Sequence, residues 1–351
     1  MKKEKPAYLL LYESIRNAIA DNVFPCGSKL PSKRTLAADH GLSLVTVEHA
    51  LELLEEEGYI EPRERSGIYV SYRSEDVLPV IEESFTPISH SAPDSKTFPY
   101  NVLARTIRRV LSEYQEEILI KSPSRGLPAL QEAIASYLAS SRGIHVDPGQ
   151  IIIGSGSEYL YGLIVQTLGR ERIYGIENPS FQTIRLMYEA NQVKTDLLRL
   201  GNNGILSEEL KRTNADVLHI TPYRSWPTGI SADASKRREY IAWARKKGAV
   251  IIEDDYDSEF TLTGKPADTL FALSEGRSVI YLCTFSTTIA PSVRIGYMIL
   301  PEPLLKQFRE KAGFYSCTVS TFSQLILTEL IKSGDYARQI NRMRRARRMR
   351  R

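Results

Sequence analysis

Residues 250–260 read Val-Ile-Ile-Glu-Asp-Asp-Tyr-Asp-Ser-Glu-Phe, a short apolar run that is followed at once by a cluster of carboxylates. A run without polar alternation is typical of a strand covered on both faces. In open α/β sheets, ligands bind beyond the carboxyl ends of such strands. This stretch therefore predicts a buried strand with a candidate site at its end.

Similar apolar runs occur at 151–153, 173–176, 217–220, 279–282 and 296–300. Helical stretches separate several of them, at 130–138, 159–168 and 237–247. Strands that alternate with helices predict an α/β domain with a mostly parallel sheet and flanking helices.

Two more strand ends carry candidate binding groups. Gly154-Ser-Gly-Ser-Glu158 would present backbone N–H groups at a helix N-terminus, which suits a phosphate. The hydroxyls of residues 284–288 and Arg294 could hold another side of the phosphate. Tight strand-to-helix turns also use such glycines. The carboxylates at 253–257 allow two interpretations. Either they form a metal site, or only one or two of these side chains face a pocket.

The first 70 residues follow a different pattern. Apolar spacing, the turn at Gly41 and the cap at Ser43 predict helices over 6–20, 32–40 and 43–57, followed by a hairpin within 59–70. This order is typical of a winged helix-turn-helix, whose third helix enters the major groove. The candidate DNA contacts are Lys33, Arg34, Ser43, Thr46, His49, Arg63 and Arg65. The alternative is a small helical packing domain, since many three-helix units bind no DNA. The net acidic charge of residues 1–75 does not decide between the two interpretations.

Composition narrows the class of protein. A chain of 351 residues predicts two domains. We expect a DNA-binding domain over 1–72, a linker over 73–99, where Pro79, Pro87 and Pro93 interrupt any period, and an α/β domain over 100–351. Three scattered cysteines argue against a disulfide framework and a zinc cluster, so no metal site is predicted. Without an apolar membrane span or signal core, the chain is expected to be cytoplasmic.

Arginine is concentrated at the end of the sequence. Eight arginines and no acidic residue lie from Arg338 to Arg351, whereas the whole chain has a net charge of +4, so the preceding residues are net acidic. A basic block of this kind often contacts nucleic acid. The interpretation that we prefer is the solvated, exposed start of a helix.

The N-terminal motifs resemble those of the GntR-type winged-helix family. They are Leu30-Pro-Ser-Lys-Arg-Thr-Leu-Ala37, Gly41-Leu-Ser-Leu-Val-Thr-Val47, Leu51-Glu-Leu-Leu-Glu-Glu-Glu-Gly-Tyr-Ile60 and Ser66-Gly-Ile-Tyr-Val70. The resemblance implies that Arg34 contacts DNA. Family arginines are replaced by Leu44 and, in comparison with many members, by Glu48. These changes imply weaker binding or a different sequence preference.

The second domain resembles the fold type I pyridoxal-phosphate aminotransferases. The motifs are Arg125-Gly-Leu-Pro-Ala-Leu130, Glu177-Asn-Pro-Ser-Phe181, Thr221-Pro-Tyr-Arg-Ser-Trp-Pro-Thr-Gly229, residues 253–260 and Pro291-Ser-Val-Arg-Ile-Gly-Tyr297. With the GntR-type domain in front, the whole chain resembles the MocR-type regulators.

The resemblance implies a cofactor site. Gly156, Ser157, Ser286 and Arg294 would contact the phosphate. Phe181 would stack on the pyridine ring, where the family usually has tyrosine. Asp254 would pair with the ring nitrogen and Tyr256 would reach the ring hydroxyl.

Three departures bear on activity. Thr287 stands where the family has the Schiff-base lysine, and a hydroxyl cannot replace that amine. Tyr223-Arg-Ser225 replaces a segment that usually contains His-Gln. The family's smaller C-terminal subdomain would follow the Arg-rich helix, so the domain is expected to be truncated.

We therefore expect a DNA-binding transcriptional regulator whose aminotransferase-like effector domain has no catalytic residue. Double-stranded DNA, a second copy of the chain and a small amino-acid-like effector are the expected partners, with no membrane. Pyridoxal phosphate is expected to bind without a covalent bond or to have been lost. The alternatives are a pyridoxal-phosphate-dependent aminotransferase with an accessory DNA-binding domain and a poorly folded fragment.

Overall fold

The computed structural model describes residues 6–63, 66–72, 98–260 and 268–349. The chain divides into two compact units, Met1–Ser89 and His90–Arg351, which are described separately. Of the predicted linker over 73–99, only Phe98 and Pro99 are among the described residues, and Arg65 is outside them.

The first unit is a winged helix. Its helices are α1 (Ala7–Ala20), α2 (Lys33–His40) and α3 (Leu44–Glu56), and the antiparallel hairpin consists of β1 (Ile60–Arg63) and β2 (Gly67–Val70). Ser32 and Ser43 cap α2 and α3 by accepting backbone N–H bonds, and Gly41 ends α2 with φ +62°. These caps explain why the helix boundaries could be predicted closely.

Apolar side chains from all three helices and the hairpin form the core of this unit. Val47, Ala50 and Leu54 of α3 have no exposed surface, and Leu11 and Ile15 of α1 are almost as buried. The helical spacing of these positions therefore marks the inner faces of α1 and α3.

The second unit is built on an eight-stranded sheet in the order β3-β10-β9-β8-β7-β4-β5-β6. The strands are β3 (Ile151–Gly154), β4 (Ile173–Asn178), β5 (Lys194–Gly201), β6 (Gly204–Ile205), β7 (Val217–Ile220), β8 (Val250–Asp254), β9 (Val279–Thr284) and β10 (Gly296–Ile299). The run β9-β8-β7-β4-β5 is parallel, whereas β10 pairs antiparallel with both β3 and β9. The predicted α/β fold with a mostly parallel sheet is confirmed.

Helices cover both faces of the sheet, and the helices on each face pack over a separate apolar cluster. They are α4 (Tyr100–Tyr114), α5 (Pro128–Arg142), α6 (Ser157–Leu168), α7 (Gln182–Ala190), α8 (Ser207–Arg212), α9 (Ala234–Lys247), α10 (Leu270–Leu273), α11 (Glu302–Lys311), α12 (Thr321–Lys332) and α13 (Asp335–Met349). Within the described ranges, no helix is long and apolar enough to cross a membrane.

The Arg-rich segment is exposed on one side only. Helix α13 buries Tyr336, Ile340 and Met343, which are at most 7% exposed. On its flank, Arg347 pairs with Asp257 at 2.9 Å, and Arg344 donates to the carbonyl of Glu259. The predicted solvated face is present, since Arg338, Arg342, Arg345 and Arg348 are exposed, but the helix also has a buried apolar face that was not predicted.

Candidate functional site

A cavity of about 280 Å³ opens at the carboxyl end of the parallel strands. Its lining combines one carboxylate, several hydroxyls and two exposed aromatic rings. The lining residues are Ser157, Tyr161, Phe181, Ile184, Thr221, Trp226, Asp254, Tyr256, Thr284 and Thr287. A larger groove of about 530 Å³ lies elsewhere on the domain, around Gly143–Val146 and Phe271–Arg277. We place the candidate site in the smaller cavity because polar groups from several strand ends converge there.

Asp254 supplies the carboxylate of the cavity. It ends β8 and is 6% exposed. The Tyr161 hydroxyl, on α6, donates to its Oδ2. Burial, together with the neighbouring carboxylate, raises the pKa of Tyr161 well above its usual value, so this phenol stays protonated as a donor. The carboxylate is thus held in place, with one face toward the cavity.

His219 supports Asp254 from behind. Its Nδ1 lies 2.6 Å from the Tyr188 hydroxyl, and its Nε2 lies 3.6 Å from Asp254 Oδ2, beyond hydrogen-bond distance. The imidazole comes from β7, which neighbours β8 in the sheet. The buried imidazole is held by the Tyr188 hydroxyl and packs beside the Asp254 carboxylate without a hydrogen bond to it.

The loop between β3 and α6 forms another wall. Gly156 caps α6 with φ +96°, and Ser157 opens the helix and lines the cavity. A Cβ atom on Gly156 would lie 2.9 Å from Arg294 Nη2, so the glycine permits the close approach of this guanidinium. Arg294 is ion-paired with Glu158 and half exposed. These groups offer N–H donors and a cation to an anionic substituent.

Hydroxyl groups occupy the wall formed by residues 284–287. Thr284 Oγ1 donates to Ser286 Oγ at 3.1 Å, and Thr287 Oγ1 donates to the Tyr256 carbonyl at 3.3 Å. None of the described residues that line the cavity is a lysine. Burial raises the pKa of Tyr256 to about 12, the Asp257 carboxylate adds to this effect and Arg224 opposes it. The Tyr256 hydroxyl therefore donates, and its acceptor is the Arg224 carbonyl.

The other carboxylates of residues 253–259 point away from the cavity. Glu253 accepts the N–H groups of Leu270 and Phe271, both at 2.9 Å. Asp255 pairs with Arg142 at 3.3 Å, and each of these side chains is at most 2% exposed. Because Glu253 and Asp255 are bound by different partners, they do not converge on one point. In the described part of the chain, no group of three or more acidic, His or Cys side chains could hold a metal ion.

The residues in place of the usual His-Gln have structural contacts. Ser225 donates to Glu177 Oε2 at 2.7 Å, and Tyr223 donates to Glu253 at 3.2 Å. The Arg224 guanidinium pairs with Asp257 at 3.1 Å. These contacts hold residues 223–225 in place, and with them the cavity wall that carries Trp226, which is 61% exposed.

Among the described residues, the predicted DNA contacts lie on the surface of the winged helix. Lys33 pairs with Glu48 at 3.0 Å, and the His49 ring stacks on Tyr8 with centroids 4.2 Å apart. Arg34 is exposed and forms no ion pair with another described residue. Ser43 and Thr46 share a hydroxyl contact of 2.8 Å at the start of α3.

Six of the ten lining residues were predicted from the sequence, namely Ser157, Phe181, Asp254, Tyr256, Thr284 and Thr287. Gly156, Ser286 and Arg294 adjoin the cavity through the contacts described above. Tyr161 and His219 were missed as partners of Asp254. For His219 the available signal was a polar side chain in the otherwise apolar strand 217–220.

Both parts of the chain match known protein families. Residues 7–70 match the bacterial regulatory proteins of the gntR family, and residues 92–351 match aminotransferase class I and II.

Similar full-length proteins are transcriptional regulators. The uncharacterized HTH-type transcriptional regulator YdeL of Bacillus subtilis is 36% identical, over 97% of this chain and 76% of its own length. The HTH-type pyridoxine biosynthesis transcriptional regulator PdxR of Corynebacterium glutamicum is 31% identical, over 97% and 76%. The probable rhizopine catabolism regulatory protein MocR of Rhizobium meliloti is 28% identical, over 97% and 74%.

Solved aminotransferase structures share the fold of the second unit. Kynurenine aminotransferase from Pyrococcus horikoshii has a TM-score of 0.65 and 25% identity, and the match covers 72% of this chain and 65% of that one. LysN, the α-aminoadipate aminotransferase of Thermus thermophilus, has a TM-score of 0.63 and 26% identity over 71% and 64%. This chain therefore spans just under two thirds of those enzymes. Taken with the two family matches and the regulator relatives, the chain belongs to the MocR-type, GntR-family transcriptional regulators, with a class I and II aminotransferase domain joined to a DNA-binding winged helix.

Proposed function

We propose that the aminotransferase-like domain of this DNA-binding regulator is a ligand-binding domain without transamination activity. The observation that carries the proposal is the cavity itself, in which Asp254, Phe181 and Ser157 surround a hydroxyl at Thr287 where an amine would be required. A threonine hydroxyl cannot form a carbon–nitrogen double bond with an aldehyde, nor can it carry the proton that an amine transfers.

The residues present fit pyridoxal phosphate as a non-covalent ligand. Asp254 would pair with the ring nitrogen, and Phe181, 49% exposed, would stack on the ring. Gly156, Ser157, Ser286 and Arg294 would hold the phosphate, and Tyr256 would reach the ring hydroxyl. The cofactor, when bound, supplies an electron sink. Here the side chains would bind and orient it.

Two features weaken this binding in comparison with a covalent site. The covalent bond to lysine is absent, and Arg294 is already paired with Glu158. A phosphate must therefore compete with a carboxylate for the same guanidinium. We infer weak, reversible occupancy by the cofactor, or occupancy by a small amino-acid-like effector with a related anionic group.

For the winged helix, we propose Arg34 and Arg65 as phosphate contacts and α3 as the element in the major groove, with Ser43, Thr46 and His49 on its DNA-facing side. Lys33 can join only when its bond to Glu48 opens. A homodimer formed through the second unit is proposed to pair two such domains. The exposed Leu119 and Ile120, 82% and 64% accessible, are candidate interface residues for it.

The test combines ligand titration with chemical trapping. Purified protein is titrated with pyridoxal phosphate, reduced with borohydride and examined by mass spectrometry. We expect weak or no binding and no covalent adduct at residue 287 in the native chain.

Thr287→Lys should recover the adduct, while Thr287→Met, similar in length but without an amine, should not. An adduct at residue 287 of the native protein, or spectral turnover of the cofactor with added amino acids, would support an aminotransferase instead.

A further inference from the structure

The first turn of α3 exposes apolar side chains where a winged helix meets DNA. Val45 is 74% exposed and Leu44 is 47% exposed. The inward face of the same helix is complete without them, since Val47, Ala50 and Leu54 have no exposed surface. Neither Leu44 nor Val45 is needed to fill the core of the unit.

The polar groups around this turn are already engaged. The Ser43 hydroxyl accepts the Thr46 N–H at 3.2 Å and shares a contact with the Thr46 hydroxyl at 2.8 Å. Glu48, one turn further on, is neutralised by Lys33 at 3.0 Å. The most accessible part of the turn is therefore apolar.

In the major groove, thymine presents a C5 methyl group beside its O4 acceptor, whereas guanine, cytosine and adenine carry no methyl group and present hydrogen-bond donors and acceptors. An apolar side chain against those polar edges would remove water from them without providing a partner. Packed against a methyl group, the apolar side chain buries apolar surface of the protein and of the base. We propose that Leu44 and Val45 determine sequence preference by packing on thymine methyl groups. The inference rests on the DNA-binding function of the winged helix.

The experiment first identifies the DNA sequences that the protein binds. Duplexes are selected from a randomised pool with the full chain, and thymines within the enriched motif are then replaced one at a time by deoxyuridine. This substitution keeps the base pair and removes only the methyl group. We expect affinity to fall by about fourfold at each contacted position, the effect of one apolar carbon returned to water.

Side-chain truncation locates the contact. Val45→Ala and Leu44→Ala should weaken binding to the thymine duplex and reduce or abolish the difference between thymine and deoxyuridine. The salt dependence should be unchanged because no phosphate contact is lost. Val23→Ala, at an equally accessible apolar position (66% exposed) in the loop after α1, is the matched control and should change nothing.

Equal affinity for thymine and deoxyuridine duplexes at every position would overturn the inference while leaving DNA binding intact. A thymine effect that persists in both Leu44→Ala and Val45→Ala would also overturn it. If the selection enriched no sequence at all, the DNA-reading function itself would fail, so the two failures are distinguishable.

Discussion

Glu177 allows a quantitative test of the buried hydrogen-bond network behind the cavity. This side chain ends deep in the second unit, 3% exposed, and its Oε2 accepts the Thr221 N–H at 3.2 Å, the Thr221 hydroxyl at 2.5 Å and the Ser225 hydroxyl at 2.7 Å. Since all three bonds reach one oxygen, glutamine can keep them with its carbonyl. Glu177→Gln therefore changes the charge with little change in shape.

Burial raises the pKa of Glu177 to about 7 from a usual value of 4.5, although the bonds from Thr221 and Ser225 oppose the shift. A carboxyl whose folded pKa is raised contributes stability that is fully present below pH 4.5 and is lost as the pH rises through 7. At about 1.4 kcal/mol per pKa unit, ionisation of the native protein costs about 3 kcal/mol. Most of that cost, about 2 to 3 kcal/mol, develops between about pH 5 and pH 8.

Glutamine does not ionise, so the stability of Glu177→Gln relative to the native protein should increase by about 2 to 3 kcal/mol between about pH 5 and pH 8. The effect of Glu253, whose pKa burial also raises to about 7, is common to both proteins and cancels.

The assay is urea denaturation followed by tryptophan fluorescence. Both tryptophans of the chain, Trp226 and Trp243, lie in the second unit, so the signal reports that unit alone. Glu171→Gln, at an exposed site, is the control and should show no such trend. A stability difference between Glu177→Gln and native protein that is the same at both pH values would refute the reasoning.

Three further substitutions test other parts of the molecule. Arg34→Ala should weaken binding to all DNA sequences alike and reduce the slope of log affinity against log salt concentration by about 1. Binding titrations at several salt concentrations measure this slope, and a sequence-selective loss would contradict the role of Arg34 as a phosphate contact. Arg142→Met leaves the buried Asp255 without its ion-pair partner and should lower the free energy of unfolding by about 3 to 5 kcal/mol in the same urea assay; a stability equal to that of the native protein would show that the pair is dispensable. Leu54→Ala opens the core of the winged helix and should lower the stability of that unit by about 2 to 5 kcal/mol; circular dichroism melts detect this loss, and a melt identical to that of the native protein would contradict close packing there.

The winged helix could be predicted closely because its signals are local. Ser32, Ser43 and Gly41 occupy cap positions, and apolar spacing defines the inner face of α3. Local signals of this kind depend on neighbouring residues only, so a single sequence contains them.

The edge of the sheet could not be predicted in this way. Strand β5 carries Lys194, Thr195 and Asp196 and is only partly buried, so its pattern lacks the continuous apolar run of the central strands. The insertion of β10 between β3 and β9 depends on pairing between residues that are 142 to 148 positions apart, from Gly296 with Gly154 to Ile299 with Ile151. Such pairings leave no local signature.

The candidate site shows the same division. Residues at or just beyond the end of a strand, such as Asp254 and Ser157, could be predicted because ligands bind at the carboxyl ends of parallel strands. Tyr161 and His219 contribute from within a helix and a strand, and only the packed structure brings their polar atoms to Asp254. The exposed arginines of α13 were predicted, but its buried face was not, because Tyr336, Ile340 and Met343 are scattered among the arginines and share a face only in the helix.

The internal pairing of Lys33 with Glu48 has a consequence for how the regulator searches a genome. Binding to arbitrary DNA grows with the number of phosphates that a protein neutralises, and this reader keeps one of its cations occupied within a net acidic domain. We therefore expect bulk DNA, which offers millions of competing sites, to retain it weakly. Fewer copies per cell are then held on unrelated sequence, and occupancy of the operator is governed by the ratio between specific and arbitrary binding more than by absolute affinity.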